Sequence, residues 1–443
     1  MSIHLPGSLT ASEITELLAE ARERTLYLLS AVLDEDLRTQ HDPLMSPIVW
    51  DLGHIGHFEE VWLLKNASSG AVGSEGLEGI YNPFENPRAV RDSLPLPQRA
   101  EAEEYLAGVR ERVLGTLDHL DLEAPDHSLL ADGFVFRMVL QHEYQHNETI
   151  LQTLQLKQGD PFDAPRAWGF SRPEPGAAPP IGSMVRFPGG EVAIGTDDRS
   201  AAYDNERPLH ARILPPFWID ATPVTNARYL DFMDDGGYRR MEFWSEGGRA
   251  WLEAEQAISP KYWFRDGADG WSCRVMDRTF PVPPDHPVCH VCFYEAEAFA
   301  NWAGKRLPTE FEWEAAASWD PIEGRARPFP WGDREPGPDL ANLDQLGFGT
   351  APIGAHPENL SPLGCYGMIG DVWEWTSTDF DGYPGYETFP YPEYSEVFFG
   401  DEYKVLRGGS WATRPGAIRT TFRNWDYPIR RQIFSGFRCA RDG

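Results

Sequence analysis

From Phe134 to Leu156 the apolar residues Val135, Met138, Val139, Ile150, Leu151 and Leu154 recur at spacings of three and four, and Gly159-Asp160-Pro161 closes the run. That period predicts a helix with one buried stripe. The N-terminal third carries three more segments of the same kind. Thr10-Ala11-Ser12-Glu13 has the form of a capping box, followed by Ile14, Leu17, Leu18, Ala21, Thr25, Leu28 and Leu29 at helical spacing. Ser46-Pro47 opens a second segment, Ile48 to about Leu64, with proline where a first turn tolerates it. A third runs from about Gln98 to Leu120. Four such helices predict a bundle over residues 1–165.

The pattern changes after Asp160. Pro, Gly and Ala become frequent, as in Arg172-Pro173-Glu174-Pro175-Gly176, and residues 166–182 read as a stiff linker. The remainder, 183–443, has short apolar runs punctuated by Gly, Pro and Trp rather than long helical periods. Val185 to Gly195 predicts two short strands around a turn, and Cys289-His290-Val291-Cys292 a further short strand. A helix is expected from Tyr294 to Ala303, and Thr309-Glu310-Phe311-Glu312 is a second capping box. The expected class is therefore α+β, a helical bundle followed by a strand-and-loop domain.

Composition limits what this architecture can do. The 443 residues carry a formal net charge of −30, which disfavours nucleic-acid and anionic-membrane binding, since both need clustered Lys and Arg. No long apolar run or signal-peptide pattern appears, so a soluble, cytoplasmic protein is expected. Five cysteines are too few and too odd in number for a disulfide framework. In a strand, Cys289 and Cys292 would point to opposite faces, which argues against a joint metal site.

The predicted fourth helix contains Gln141-His142-Glu143-Tyr144-Gln145-His146. His142 and His146 lie one turn apart on one face, where both can reach a single metal ion. The letters also spell H-E-x-x-H, in which Glu143 would be the base of a zinc protease. That reading needs a third ligand downstream, and no histidine follows until His210. The second helix offers Asp51-Leu52-Gly53-His54-Ile55-Gly56-His57 instead. His54, flanked by Trp50 and Phe58 at i±4 and by the small Gly53, is favoured over His57 as the third ligand. Three neutral imidazoles without a carboxylate suit Fe(II) with open positions, and ligand type alone leaves zinc open. Between the second and third helices, Tyr81 to Arg91 is long for a bundle loop, and its aromatics argue for order. The residues alone favour two solvated arginines, Arg88 and Arg91, over a carboxylate clamp.

The stretches Asp204-Asn205-Glu206-Arg207-Pro208, Pro223-Val224-Thr225-Asn226, Trp302 to Glu310, Pro330-Trp331-Gly332, Gly370-Asp371-Val372-Trp373-Glu374-Trp375 and Arg407-Gly408-Gly409-Ser410-Trp411 resemble the formylglycine-generating-enzyme (sulfatase-modifying-factor) family. That resemblance implies a C-type-lectin-like fold for 183–443. The N-terminal part is similar to DinB-like metal-binding bundles. Joined in this order, the two resemble the EgtB sulfoxide synthases of ergothioneine biosynthesis, and Asn424 to Phe434 is similar to the actinobacterial type that uses γ-glutamylcysteine.

The resemblance implies a non-haem Fe(II) cofactor, O2 as co-substrate, and coupling of γ-glutamylcysteine to Nα-trimethylhistidine, with the site where the two domains meet. It puts the iron ligands at His54, His142 and His146, and the arginines for the thiol substrate's carboxylates at Arg88 and Arg91. The aspartate for its amino group falls on Asp426. The catalytic tyrosine falls on Tyr391, with Tyr383 and Tyr386 as alternatives, and the trimethylhistidine pocket on Gln145, Tyr394, Asn424 and Trp425. Relatives of this architecture use cysteine, make ovothiol, or join selenium to the betaine. A formylglycine-generating oxidase would need a cysteine pair near the C-terminus, where Cys439 stands alone. A non-catalytic lectin-like binder would have no need of three metal-compatible histidines.

Overall fold

The computed structural model describes residues 9–68, 77–122, 124, 126–165, 179–265, 267 and 270–443, so most of the expected linker lies outside the described residues. The chain divides into two compact units, Met1–Arg166 with Asp198–Ala201, and Ala167–Asp197 with Ala202–Gly443.

Unit 1 is helical. Its elements are α1 (Ala11–Leu29), α2 (Asp34–Arg38), α3 (Ile48–Glu59), α4 (Glu78–Tyr81), α5 (Arg99–Leu117) and α6 (Phe134–Leu156). The Thr10 capping box forms as expected, with the Thr10 amide donating to the Glu13 carboxylate at 2.8 Å. The helical path of α3 continues through a π turn, Glu60–Asn66, which accounts for the longer segment that the apolar period predicts. α6 packs on α1 and α3, and α3 on α5. The loop after α4 is ordered, with a 3-10 segment over Arg88–Ser93.

In α3 two glycines are sites of close approach. A Cβ on Gly53 would stand 2.1 Å from the Tyr81 ring, and one on Gly56 2.9 Å from Leu106 and Tyr105.

Unit 2 contains β1 (Met184–Phe187), β2 (Gly190–Ile194), β3 (His210–Leu214), β4 (Phe217–Asp220), α7 (Asn226–Asp234), α8 (Glu246–Glu255), β5 (Trp263–Arg265), β6 (Trp271–Val275) and β7 (Arg278–Pro281). There follow α9 (Phe293–Trp302), α10 (Glu310–Ser318), β8 (Trp319–Asp320), β9 (Arg325–Ala326), β10 (Trp373–Phe380), β11 (Gly400–Arg407), β12 (Asn424–Asp426), β13 (Ser435–Gly436) and β14 (Ala440–Asp442). The strands form small sheets in the orders β1-β4-β14, β12-β11-β10-β13, β2-β3, β5-β6-β7 and β8-β9.

The two strands expected around the turn form, and one expectation changes, at Cys289 to Cys292. β1 and β2 flank a turn but belong to different sheets, β1 pairing with β4 and β2 with β3. The short helices α7 and α8 are not visible as long apolar periods. Cys289 to Cys292 is no strand: His290 has φ of 66°, and Cys292 is the N-cap of α9. The apolar residues of that run are buried by tertiary packing rather than by a pleat. All five cysteines are free thiols.

With so little regular structure, unit 2 satisfies its loop carbonyls with buried arginines paired to glutamates. Arg438 bonds Glu374 at 2.7 Å and also donates to the Asp220 carbonyl at 3.0 Å. Arg423 bonds Glu310 at 2.8 Å and donates to the carbonyls of Asn205 at 2.7 Å and Asp381 at 2.9 Å. Each planar fork serves a carboxylate and loop backbone together. No described helix of the chain is long and apolar enough to cross a membrane.

Candidate functional site

α6 presents His142 and His146 one turn apart, and α3 brings His54 to meet them. One ligating nitrogen from each lies within 4.8 Å of the others, the one group of three metal-compatible side chains among the described residues. The Nε2 atoms of His54 and His142 stand 3.2 Å apart. Burial pushes His54 and His142 well below the usual imidazole range, with His146 adding to the effect on both, so both rings are neutral near pH 7.

Outer contacts fix the tautomers. His54 Nδ1 lies 2.9 Å from the Tyr81 carbonyl, and His146 Nδ1 lies 3.2 Å from Asp51 Oδ1. A carbonyl or carboxylate oxygen can only accept, so each Nδ1 is the donor and Nε2 is the nitrogen left to face a metal. The third ring, His142, is stacked on Phe58 at 3.7 Å, and His54 on Trp50 at 4.8 Å. This is how proteins hold imidazoles for a metal, with a hydrogen-bonded outer layer setting orientation and basicity. The donor set fits a divalent transition ion, because imidazole nitrogen binds such ions well.

His57 stands outside this group, with its ring 6.2 Å from Tyr81. The space beside His54 left by Gly53 is filled by Tyr81, the residue whose carbonyl orients the ligand. Glu143 points elsewhere. One step along a helix turns it well away from His142, and it is 1% exposed, accepting from Arg22 Nε at 2.9 Å and Thr25 Oγ1 at 2.7 Å. Glu59 joins the same network through Arg22 at 2.8 Å and Arg110 at 2.7 Å. The glutamate of H-E-x-x-H is therefore structural, and the protease reading has no base.

Arg88 and Arg91 are not the solvated pair that the residues alone suggest. Arg91 is 4% exposed, donates to the Asn86 carbonyl at 2.8 Å and Ser46 Oγ at 2.6 Å, and lies 3.5 Å over the Trp50 ring. Burial lowers its pKa to about 10. Arg88 is half-buried and donates to the Leu44 carbonyl at 3.3 Å. Gln145, also half-buried, directly precedes His146 on α6.

In unit 2, Tyr391, Tyr394 and Trp425 are gathered into one aromatic group. Tyr394 meets Trp425 edge-on at 5.7 Å and Tyr391 at 6.4 Å, and Trp425 is stacked on Phe380 at 4.1 Å. Burial raises the Tyr391 phenol well above its ordinary value, reinforced by Tyr203, Asp204 and Glu393, so it stays protonated at neutral pH. Strand pairing fixes the neighbours of Trp425, with Asn424 opposite Leu406 and Asp426 opposite Lys404. Asn424 Oδ1 accepts from the Trp425 amide at 2.9 Å, and Asp426 Oδ1 from the Tyr427 amide at 2.8 Å. Asp426 lies 3.4 Å from Arg430.

The alternative tyrosines are otherwise engaged. Tyr383 is part of the hydrophobic core, 4% exposed, under the Arg423 guanidinium. Tyr386 donates to Asp204 Oδ2 at 2.7 Å. Sequence reasoning missed Tyr203, which stacks on Tyr394 at 4.0 Å, and the roles of Tyr81 and Asp51. The motif Asp204 to Pro208 was visible as a signal, but its partners are far away in sequence.

Residues 17–150 match the DinB superfamily, and residues 169–443 match the sulfatase-modifying factor enzyme 1-like domain. The second half also aligns with the formylglycine-generating enzyme of Streptomyces coelicolor, 33% identical over 63% of this chain and 96% of that protein. Other relatives match along both units. The hercynine oxygenase of Mycolicibacterium thermoresistibile is 46% identical over 97% of this chain and 95% of its own length. That of Mycobacterium tuberculosis is 45% identical over 96% of this chain and 97% of its own. Likeness of this depth, running through the histidine-bearing bundle and the aromatic second unit alike, means that the chain belongs to the hercynine oxygenase family.

Proposed function

We propose that this chain couples γ-glutamylcysteine to C2 of the imidazole of Nα-trimethylhistidine (hercynine) and oxidises the new sulfur to the sulfoxide. The reaction balances as hercynine plus thiol plus O2 giving sulfoxide plus water. One oxygen atom enters the product, and the other leaves with the imidazole C–H and thiol hydrogens. The observation that carries the reading is the group of three imidazoles, with Nδ1 of His54 and of His146 committed to oxygen acceptors.

His54, His142 and His146 would hold Fe(II), which supplies O2 activation and the redox equivalents when bound. Arg88 and Arg91 would take the thiol substrate's carboxylates; each guanidinium has five donors, and Arg91 commits only part of its fork to Asn86 and Ser46. Asp426 would face the ammonium group. A quaternary ammonium has no proton to donate and is bound by aromatic faces, the chemistry that Tyr394 and Trp425 offer. Asn424 and Gln145 would hold the polar remainder of hercynine. Tyr391, protonated at neutral pH, would give up a proton during coupling, and in its absence thiol dioxygenation to the sulfinic acid competes.

The test is O2 uptake by anaerobically Fe(II)-loaded protein given hercynine with γ-glutamylcysteine or with cysteine, followed by mass spectrometry. The expected product has the mass of both substrates plus one oxygen less two hydrogens, with γ-glutamylcysteine preferred. Tyr391→Phe should move product toward the sulfinic acid. No uptake with iron demonstrably bound would overturn the reading, and preference for cysteine would change the thiol.

A further inference from the structure

The tripeptide Asp204-Asn205-Glu206 is a short 3-10 turn whose three side chains are 0–1% exposed. Asp204 accepts from Ser395 Oγ at 2.5 Å on Oδ1, and from Tyr386 Oη at 2.7 Å and the Phe389 amide at 3.2 Å on Oδ2. These donors bracket Tyr391 on both sides in sequence. Asn205 Nδ2 donates to the same Ser395 hydroxyl at 3.0 Å, which fixes that hydroxyl as acceptor from the amide and donor to the carboxylate. The preceding ring, Tyr203, lies flat on Tyr394 at 4.0 Å.

The bracketed segment has little regular structure of its own, although Tyr394 packs on Tyr203, Tyr391 and Trp425 and Thr388 bonds Glu396 across the two flanks. Between Tyr391 and Ser395 there is one 3-10 turn, Pro392–Tyr394, with Pro392 and Glu393 exposed. The other side of the tripeptide ties to the approach of β12. The Asn205 carbonyl accepts from Arg423 Nη1 at 2.7 Å, and Glu206 accepts from Arg419 Nε at 2.8 Å and Thr421 Oγ1 at 2.7 Å. Asn424 and Trp425 follow directly.

We propose that Asp204 is a positioning residue, which gathers both flanks of Tyr391 and, through Asn205 and Glu206, holds the Tyr391–Tyr394 segment in register with Asn424 and Trp425. Asp204 acts on the reaction through Tyr391, so the inference rests on the proton-donor role proposed for that phenol. Charge is what suits aspartate to the place. Two carboxylate oxygens accept three hydrogen bonds from groups that can only donate in this arrangement. An asparagine offers one acceptor oxygen, and its amide would face a donor at the other position. At least one tie is therefore lost without a change of shape.

Two measurements test this on the full-length chain. In metal-free protein, hydrogen exchange of the peptide over residues 386–398 should quicken by about tenfold in Asp204→Asn, because the ties close a segment with little regular structure of its own. In Fe(II)-loaded protein with hercynine and γ-glutamylcysteine, the ratio of sulfoxide to sulfinic acid should fall by about tenfold in Asp204→Asn, as displacement of a catalytic group predicts. Ser395→Ala and Tyr386→Phe each remove one tie and should move the ratio in the same direction by less; they carry the test if Asp204→Asn fails to fold. In a Tyr391→Phe background, Asp204→Asn should change the ratio by less than about twofold, because two residues acting through one group do not add.

If Tyr391→Phe shifts the ratio while Asp204→Asn, Ser395→Ala and Tyr386→Phe leave it at the parent value, the positioning role is wrong and the proton-donor reading stands. A multiplicative effect of Asp204→Asn on top of Tyr391→Phe also overturns it. A Tyr391→Phe ratio equal to the parent's removes the proton-donor reading, and the positioning role with it.

Discussion

Replacing Gly53 by alanine perturbs the histidine group without touching a ligand. The added Cβ would meet the Tyr81 ring at 2.1 Å from Cζ, 2.2 Å from Oη and 2.3 Å from Cε1. Contact of that kind is tolerable only near 3.4 Å, so the ring has to withdraw by about 1.3 Å. Tyr81 is 3% exposed, so its ring can withdraw only against buried neighbours. Its carbonyl accepts the His54 Nδ1 proton, and the preceding carbonyl, of Ile80, accepts from Trp50 Nε1 at 2.9 Å. Retreat of the ring therefore pulls on the groups that orient His54.

Two effects on stability oppose each other. Alanine in a helix interior gains about 1 kcal/mol over glycine, whereas overpacking of a buried site costs about 1–3 kcal/mol. The overpacking is expected to win, by up to about 2 kcal/mol, because the neighbour is a ring packed on all sides. Loss of the Nδ1 contact should lower metal affinity about 10–100-fold, the usual effect of removing an outer partner of a metal-bound imidazole. Urea unfolding of the metal-free chain measures the first, and anaerobic Fe(II) or Co(II) titration against a chelator the second. A Gly53→Ala protein more stable than its parent, with metal affinity unchanged, would refute the reasoning.

Two other predictions concern the same unit. Glu143→Gln breaks a buried Arg–Glu network and should destabilise the metal-free protein by about 3–5 kcal/mol in chemical unfolding. Its metal affinity should be retained; full stability with lost turnover would instead make Glu143 a catalytic base. Asp51→Ala, which frees His146 Nδ1, should weaken metal binding about 10–100-fold, whereas His57→Ala should leave it near the parent value by the same titration. A His57 effect as large as that of Asp51 would put His57 among the ligands.

Periodicity along the chain determined α6 from Phe134 to Leu156, the capping boxes at Thr10 and Thr309, and the shared face of His142 and His146. These follow from the geometry of single turns, in which residues four apart are neighbours whatever the rest of the chain does. The same local logic failed at Cys289 to Cys292, where a left-handed His290 and the start of α9 replace the strand. Burial there comes from distant packing, which a short apolar run cannot distinguish from a pleat.

The sequence favoured His54 over His57, and the tertiary structure supplies the contacts that bring it to the pair on α6. His54 and His57 differ in the packing around them, Tyr81 in the notch at Gly53 and Trp50 on the ring. The tertiary structure also decided that Glu143 serves Arg22, that Arg91 is buried over Trp50, and that Tyr383 and Tyr386 are engaged while Tyr391 joins the ring group of Tyr394 and Trp425. Each depends on a contact between residues many positions apart, and a linear pattern encodes the face on which a side chain lies but not what is brought against it.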